Sequence, residues 1–172
     1  MNERSGKPNI RPALKEDASS IAEIYSESIL MRDSTMVMDV VSPEDMRQKL
    51  AHLDERETVL VAETEGYLAG WGIVKYYSDR PGYRLACETS LFVRRSLTGK
   101  GIGSAIQERL MKSARNSGFH HVLVRIWTQN GHSIAMHEKF GFTTVGVQKE
   151  IGHVDGNWID VTVMQCLLSE TD

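Results

Sequence analysis

The chain has 172 residues, 41% of them hydrophobic and 25% charged, with a formal net charge of −3. That length suits one domain with a substantial core. Mixed charge offers no basic face of the kind nucleic-acid binding needs, no apolar run reaches membrane-spanning length, and two cysteines are too few for a disulfide framework.

Met1–Pro8 is polar and lacks the apolar segment of a signal peptide. It reads as a flexible tail before a single cytoplasmic domain over residues 9–172. Asn9–Pro12 reads as a first strand. Lys15-Glu16-Asp17 opens a helix with acids in its first turn, and Ala18, Ile21, Tyr25 and Ser28 form its face, with Ile24 and Ile29 beside them. A polar, Met-rich stretch covers Arg32–Asp39. Ser42-Pro43 then supplies an N-cap and a first-turn proline for a helix ending near His52–Glu55.

Thr58–Glu63 and Leu68–Tyr77 read as strands joined by the turn Glu65-Gly66, and Asp79–Gly82 is a second turn. Leu85–Val93 is the next strand. Cys87 within it suits a small buried residue better than a nucleophile. After the glycine-rich run Thr98–Ser104, Ile102, Ile106 and Leu110 stripe a helix that ends at Asn116-Ser117-Gly118. Val122, Val124 and Ile126 alternate in a strand. Asn130–Phe140 is a short helix stopped by Gly141. Phe142–Ile151 and Trp158–Leu167 are strands joined through Asp155-Gly156-Asn157. The order predicts an α/β fold with helices on both faces of the sheet.

The run Gly99-Lys100-Gly101-Ile102-Gly103-Ser104 follows a strand and opens a helix. Glycine permits close backbone approach and positive φ, and a helix start offers free N–H groups to a phosphate. The pattern matches neither a P-loop nor the dinucleotide fingerprint, whose third glycine falls on Ser104. A plain strand–turn–helix connection is the alternative. The histidines do not read as a zinc site: His132 and His137 are five residues apart, and His120-His121 point to opposite sides of a strand.

The glycine run, Asn130–Ser133 and His137–Phe142 together resemble the GNAT N-acetyltransferase superfamily. Ile10–Ala13, Ile24-Tyr25, Tyr83-Arg84, Glu88–Val93 and Gly156–Asp160 resemble its phosphinothricin (methionine sulfoximine) acetyltransferase branch. The resemblance spans nearly the whole chain in order. It implies a mixed central sheet of about seven strands, acetyl-CoA as co-substrate, no metal, a small amino-acid-like amine as acceptor, and a homodimer with the last strands near its seam.

Site residues follow from the same resemblance. Backbone N–H groups of Gly99, Lys100, Gly101, Ile102, Gly103 and Ser104 would hold the pyrophosphate. Leu91, Phe92 and Val93 would pair with the pantetheine arm, with the Leu91 N–H on the thioester carbonyl. Asn130 would bond the arm and Ser133 would lie near it. Glu88, an acid inside an apolar strand, is expected as general base, its pKa raised by burial. A structural pair with Arg84 is the alternative. His137 is expected either to give a proton to the departing sulfur or to pack in the core. Arg84 is expected to clamp an acidic group of the acceptor. Tyr83, Thr35 and Trp71 are expected pocket walls, with Trp158 near the acceptor or the dimer seam.

Two departures stand out. Thr98 occupies a position where the family has Arg or Gln, with Arg94 and Arg95 reading as solvated turn residues. Met36 and Met38 lie where the branch often has an aromatic. Acceptors of another kind (a polyamine or a protein amine) and a non-catalytic acyl-CoA sensor are the competing functions.

Overall fold

A computed structural model describes residues 7–168; residues 1–6 of the expected tail lie outside the described residues. The chain runs β1 (Asn9–Pro12), a 3-10 turn at Lys15–Asp17, α1 (Ala18–Met31), α2 (Pro43–Ala51), β2 (Thr58–Thr64), β3 (Tyr67–Tyr76), β4 (Ala86–Val93), α3 (Ile102–Asn116), β5 (His121–Trp127), α4 (Gly131–Lys139), β6 (Thr143–Val154) and β7 (Asn157–Leu167). Seven strands form one sheet in the order β1-β2-β3-β4-β5-β7-β6. The β4–β5 pair is parallel and the other neighbours are antiparallel. The mixed α/β architecture is the expected one.

Strand alternation divides the core between the two faces. Leu60, Ala62, Val74, Cys87, Val122 and Val124 pack beneath α3, through Ile106 and Leu110. Val59, Val61, Trp71 and Ile73 pack against Ile21 and Ile24 of α1 and Met46 of α2. Two glycines let α3 sit close to β3. A Cβ on Gly70 would stand 2.9 Å from Ile106 Cδ1, and one on Gly72 would stand 2.8 Å from Ile106 Cγ2.

Local chemistry sets the boundaries. The expected first helix begins as a 3-10 turn because the Leu14 N–H and the Arg11 guanidinium both bond the Asp17 carboxylate. Burial opposes the charge on Asp17, but these donors outweigh it and lower its pKa. Ser42 caps α2 reciprocally with Asp45, at 3.1 and 3.0 Å. The strand expected to end at Ile151 continues to Val154. Its periodicity breaks at a bulge between Gln148 and Gly152, where Glu150 takes φ 52° and donates its N–H to Asp160. Cys87 is fully buried, which pushes its thiol up to about 12.

The feature that places the site is an interruption of the sheet. β4 and β5 pair only through Ala86–His121, Cys87–Val122 and Glu88–Leu123. Beyond that point the strands diverge, although β4 stays paired to β3 as far as Val93 and β5 to β7 as far as Trp127.

Candidate active site

The opening between β4 and β5 is lined by Thr89, Leu91, Ile126, Asn130, Ser133 and His137 and encloses about 90 Å³. It joins two larger hollows. One, of about 320 Å³, runs along Leu91–Val93 to Thr98, Gly99, Ile102 and Gly103. The other, of about 360 Å³, lies on the α1–α2 face around Glu88. Ser34 and Phe92 border all three spaces, so the path from the glycine loop to Glu88 is continuous.

The glycine loop has the geometry for an anionic ligand. Gly99 and Gly101 take φ of 78° and 80°, a conformation costly for any residue with a Cβ. Gly101 is the N-cap of α3 and no side chain caps the helix, leaving its first N–H groups to a ligand. Gly103 lies between β4 and α4. A Cβ there would stand 3.6 Å from both Leu91 Cδ1 and Met136 Sδ. These features fit a phosphorylated ligand with a narrow extended arm. Not every loop residue faces this path: Lys100, Gly101 and Ser104 border an outer hollow of about 1010 Å³ beside β1. That hollow is larger than these three, but none of the residues around Glu88 border it.

Neighbouring arginines are not solvated as expected. Arg94 bonds Glu23, Glu27 and the Leu68 carbonyl, and Arg95 bonds Asp33. Both tie the loop's approach to α1 and the segment after it. The Thr98 hydroxyl donates to the Arg95 carbonyl at 3.0 Å, so threonine here closes the preceding turn.

Asn130 N-caps α4, its Oδ1 accepting from the Ser133 N–H at 3.1 Å. The amide nitrogen remains as a donor. His137 is 5% exposed and its Nδ1 lies 2.8 Å from the Ser133 carbonyl oxygen. Only an N–H can make that bond, so Nε2 carries the lone pair in the neutral ring. Burial lowers the pKa, although the Ser133 bond acts the other way. The neutral His137 therefore presents an acceptor, not the donor that a departing thiolate needs. Packed edge-on against Phe142, it fits the structural alternative. The buried Thr89 hydroxyl, without a partner among the described residues, belongs to a residue bordering this opening that sequence reasoning did not single out.

Glu88 is 8% exposed. Its expected structural partner was Arg84, but its ion pairs are with Arg125 at 2.7 Å and Lys75 at 3.6 Å, both on Oε2. Lys75 is its direct cross-strand neighbour, and Arg125 is two residues beyond Leu123, its partner on β5. Among the described residues both contacts leave Oε1 open to a third group.

The expected acceptor walls divide. Thr35 and Trp71 border the Glu88 cavity: Thr35 meets the Tyr25 hydroxyl at 3.2 Å, and Trp71 packs against Tyr25 and Phe92. Tyr83 and Arg84 do not border it. Both are exposed on the turn before β4, Tyr83 edge-to-face with Tyr77 and the Arg84 carbonyl held by Arg56. Trp158 is 62% exposed and stacks on His153. Lys49, Lys75, Arg125 and Trp127 border the cavity instead. Met36 closes it from above, seated on Gly152, where a Cβ would stand 2.6 Å from the sulfur.

Among the described residues no group of three His, Cys, Asp or Glu side chains gathers to hold a metal, and no helix is long and apolar enough to cross a membrane.

Comparison with known proteins agrees with this arrangement. The acetyltransferase (GNAT) domain model matches residues 10–163. An L-methionine sulfoximine/L-methionine sulfone acetyltransferase of Salmonella typhimurium is 33% identical over 94% of this chain and 95% of its own. A phosphinothricin N-acetyltransferase of Streptomyces viridochromogenes is 30% identical over 91% of this chain and 85% of its own. A Salmonella typhimurium acetyltransferase solved with acetyl-CoA superposes with a TM-score of 0.92 at 30% identity, covering 97% of each chain. Loop, divergent strands and sequence kinship agree, and the chain belongs to the GNAT family of acetyltransferases.

Proposed function

We propose that the protein moves the acetyl group of acetyl-CoA to the amine of a small amino-acid-like acceptor, with Glu88 as general base. The observation that carries this reading is the continuous path from the glycine loop, through the β4–β5 opening, to the Glu88 carboxylate. Gly99, Ile102 and Gly103 would hold the pyrophosphate, and the Leu91–Val93 edge with Asn130 would hold the pantetheine arm. The Leu91 N–H would polarise the thioester carbonyl. Acetyl-CoA supplies a thioester carbon to which the amine nitrogen bonds as the carbon–sulfur bond breaks.

An amine arrives as ammonium and must lose a proton before it can attack. Glu88 Oε1 accepts that proton and passes it to solvent. The second proton lost from nitrogen is taken up by the departing sulfur, so the thiol leaves neutral, and the Thr89 hydroxyl would give that sulfur a hydrogen bond while keeping its own proton. Lys49, Lys75 and Arg125 repel a polycation, so they argue against a polyamine acceptor. The proposal places the enzyme in the cytoplasm as a homodimer. Exposed Val145, Val147 and Ile151 on the edge strand β6, with Trp158 and Leu167 on β7, support the dimer.

The test is thiol release from acetyl-CoA with methionine sulfone, methionine sulfoximine, phosphinothricin, ordinary amino acids, spermidine and a lysine peptide. Turnover on the amino-acid-like members is expected. Turnover on spermidine or peptide alone would overturn the acceptor class, and binding of acetyl-CoA with no turnover would favour a sensor.

A further inference from the structure

Arg125 spans the mouth of the β4–β5 opening. Glu88 belongs to the last residue pair before the two strands part, opposite Leu123. Arg125 follows two residues later on β5, so its side chain leaves the same face of that strand as Leu123, roughly 7 Å further on. β5 is still paired to β7 there, with Arg125 opposite Val163, so the side chain rises from fixed backbone. It reaches back across the gap and donates from Nη2 to Glu88 Oε2 at 2.7 Å. Lys75 touches the same oxygen at 3.6 Å, a charge contact too long for a hydrogen bond. Among the described residues Arg125 is therefore the one hydrogen-bond donor to this carboxylate.

That bond decides which way the base faces. The terminal torsion of a glutamate is broad and two-fold, so burial of the stem does not by itself orient the oxygens. With Oε2 held, Oε1 faces the cavity in one orientation, and proton transfer depends on reach and alignment. Resting on the reading of Glu88 as base, we propose that Arg125 is a positioning residue for the reaction: it fixes Oε2 across the opening and so directs Oε1 at the amine of the acceptor.

The test measures thiol release from acetyl-CoA, with methionine sulfone and the other amines of the panel, in Arg125→Met, Arg125→Lys and each of these combined with Glu88→Gln. In Arg125→Met kcat is expected to fall about 10–10²-fold, the usual cost of a misplaced reacting group, with KM for the amine changed by less than about threefold. Melting temperature and acetyl-CoA affinity are expected to stay close to those of the parent. With Glu88→Gln already present, Arg125→Met is expected to cost at most about twofold more, since no base remains to be aimed. Arg125→Lys keeps a charged donor but not the planar fork. It carries the same comparison should Arg125→Met fail to fold: a smaller loss in kcat, absent beside Glu88→Gln. A merely structural role would lower kcat by the same factor in both backgrounds, which would overturn the assignment. A rise in KM at unchanged kcat would make Arg125 a contact of the acceptor and would overturn it as well. Full activity of Glu88→Gln alone would remove the base, and the positioning role with it, while the acetyltransferase reading stands. Absence of thiol release with every amine would overturn that reading too.

Discussion

Glu88 holds its position through charge pairs on one oxygen and leaves the other to the cavity. Glu88→Gln keeps the shape and the hydrogen-bonding reach but removes the base. It is expected to lower turnover near neutral pH by about 10²–10⁴-fold, the usual worth of a positioned proton acceptor, with acetyl-CoA affinity unchanged. Steady-state kinetics beside calorimetric titration of acetyl-CoA separates the two quantities, and equal turnover in both proteins rejects Glu88 as base. His137 makes a different contribution. Its folded pKa is lowered by burial, so the unfolded chain takes up a proton that the folded one refuses. The stability it supports is complete above the ordinary imidazole range and is lost as pH falls through that range toward the folded value. His137→Gln is expected to flatten this acid limb. Melting temperatures between pH 8 and 5.5 check it: the unaltered protein should lose more over that interval than the variant.

The glycine loop, α3 and the β4–β5 opening act together as elements. A Cβ on Gly103 would make only ordinary van der Waals contact, 3.6 Å from Leu91 Cδ1 and from Met136 Sδ, both of which border the hollow along Leu91–Val93. Gly103→Glu is expected to remove detectable acetyl-CoA binding while the melting temperature stays close to that of the parent. Unchanged affinity in the folded variant would place the ligand elsewhere. At this scale much was readable in advance, because the signals are local. Glycines at a strand–helix junction, Ser42-Pro43 before a helix, and alternation in Val122–Ile126 each depend on a few adjacent residues. The acceptor wall was less readable because it depends on register. Lys75 and Arg125 carry no local signal of a site, and only the pairings of β3, β4 and β5 bring them to Glu88. Arg84 was expected at the acceptor from the family resemblance, with a pair to Glu88 as the alternative. The turn at Pro81–Tyr83 then holds Arg84 outside the cavity. Ser34 lay within a polar stretch with no pattern to distinguish it, yet it borders every segment of the path.

For the whole molecule, the edge strand β6 is the surface on which assembly turns. Its exposed valines and Ile151 continue into the apolar surface of β7, and a long edge of this kind is normally covered or paired. Light scattering behind size exclusion is expected to give twice the monomer mass at micromolar concentration. A monomer at that concentration would overturn the homodimer. The β4–β5 divergence has a consequence at the same scale. A sheet that parts in its middle lacks one strand's worth of internal bonding, and in the proposed binding mode the acetyl donor would be the strand that completes it. Folding and nucleotide supply are then linked by mass action: at a hundred times its dissociation constant, a ligand of the folded state adds about 2.7 kcal/mol to stability. A shortage of acetyl donor would then make the enzyme easier to unfold and to degrade, an expected rise in melting temperature on adding acetyl-CoA being the sign of this linkage.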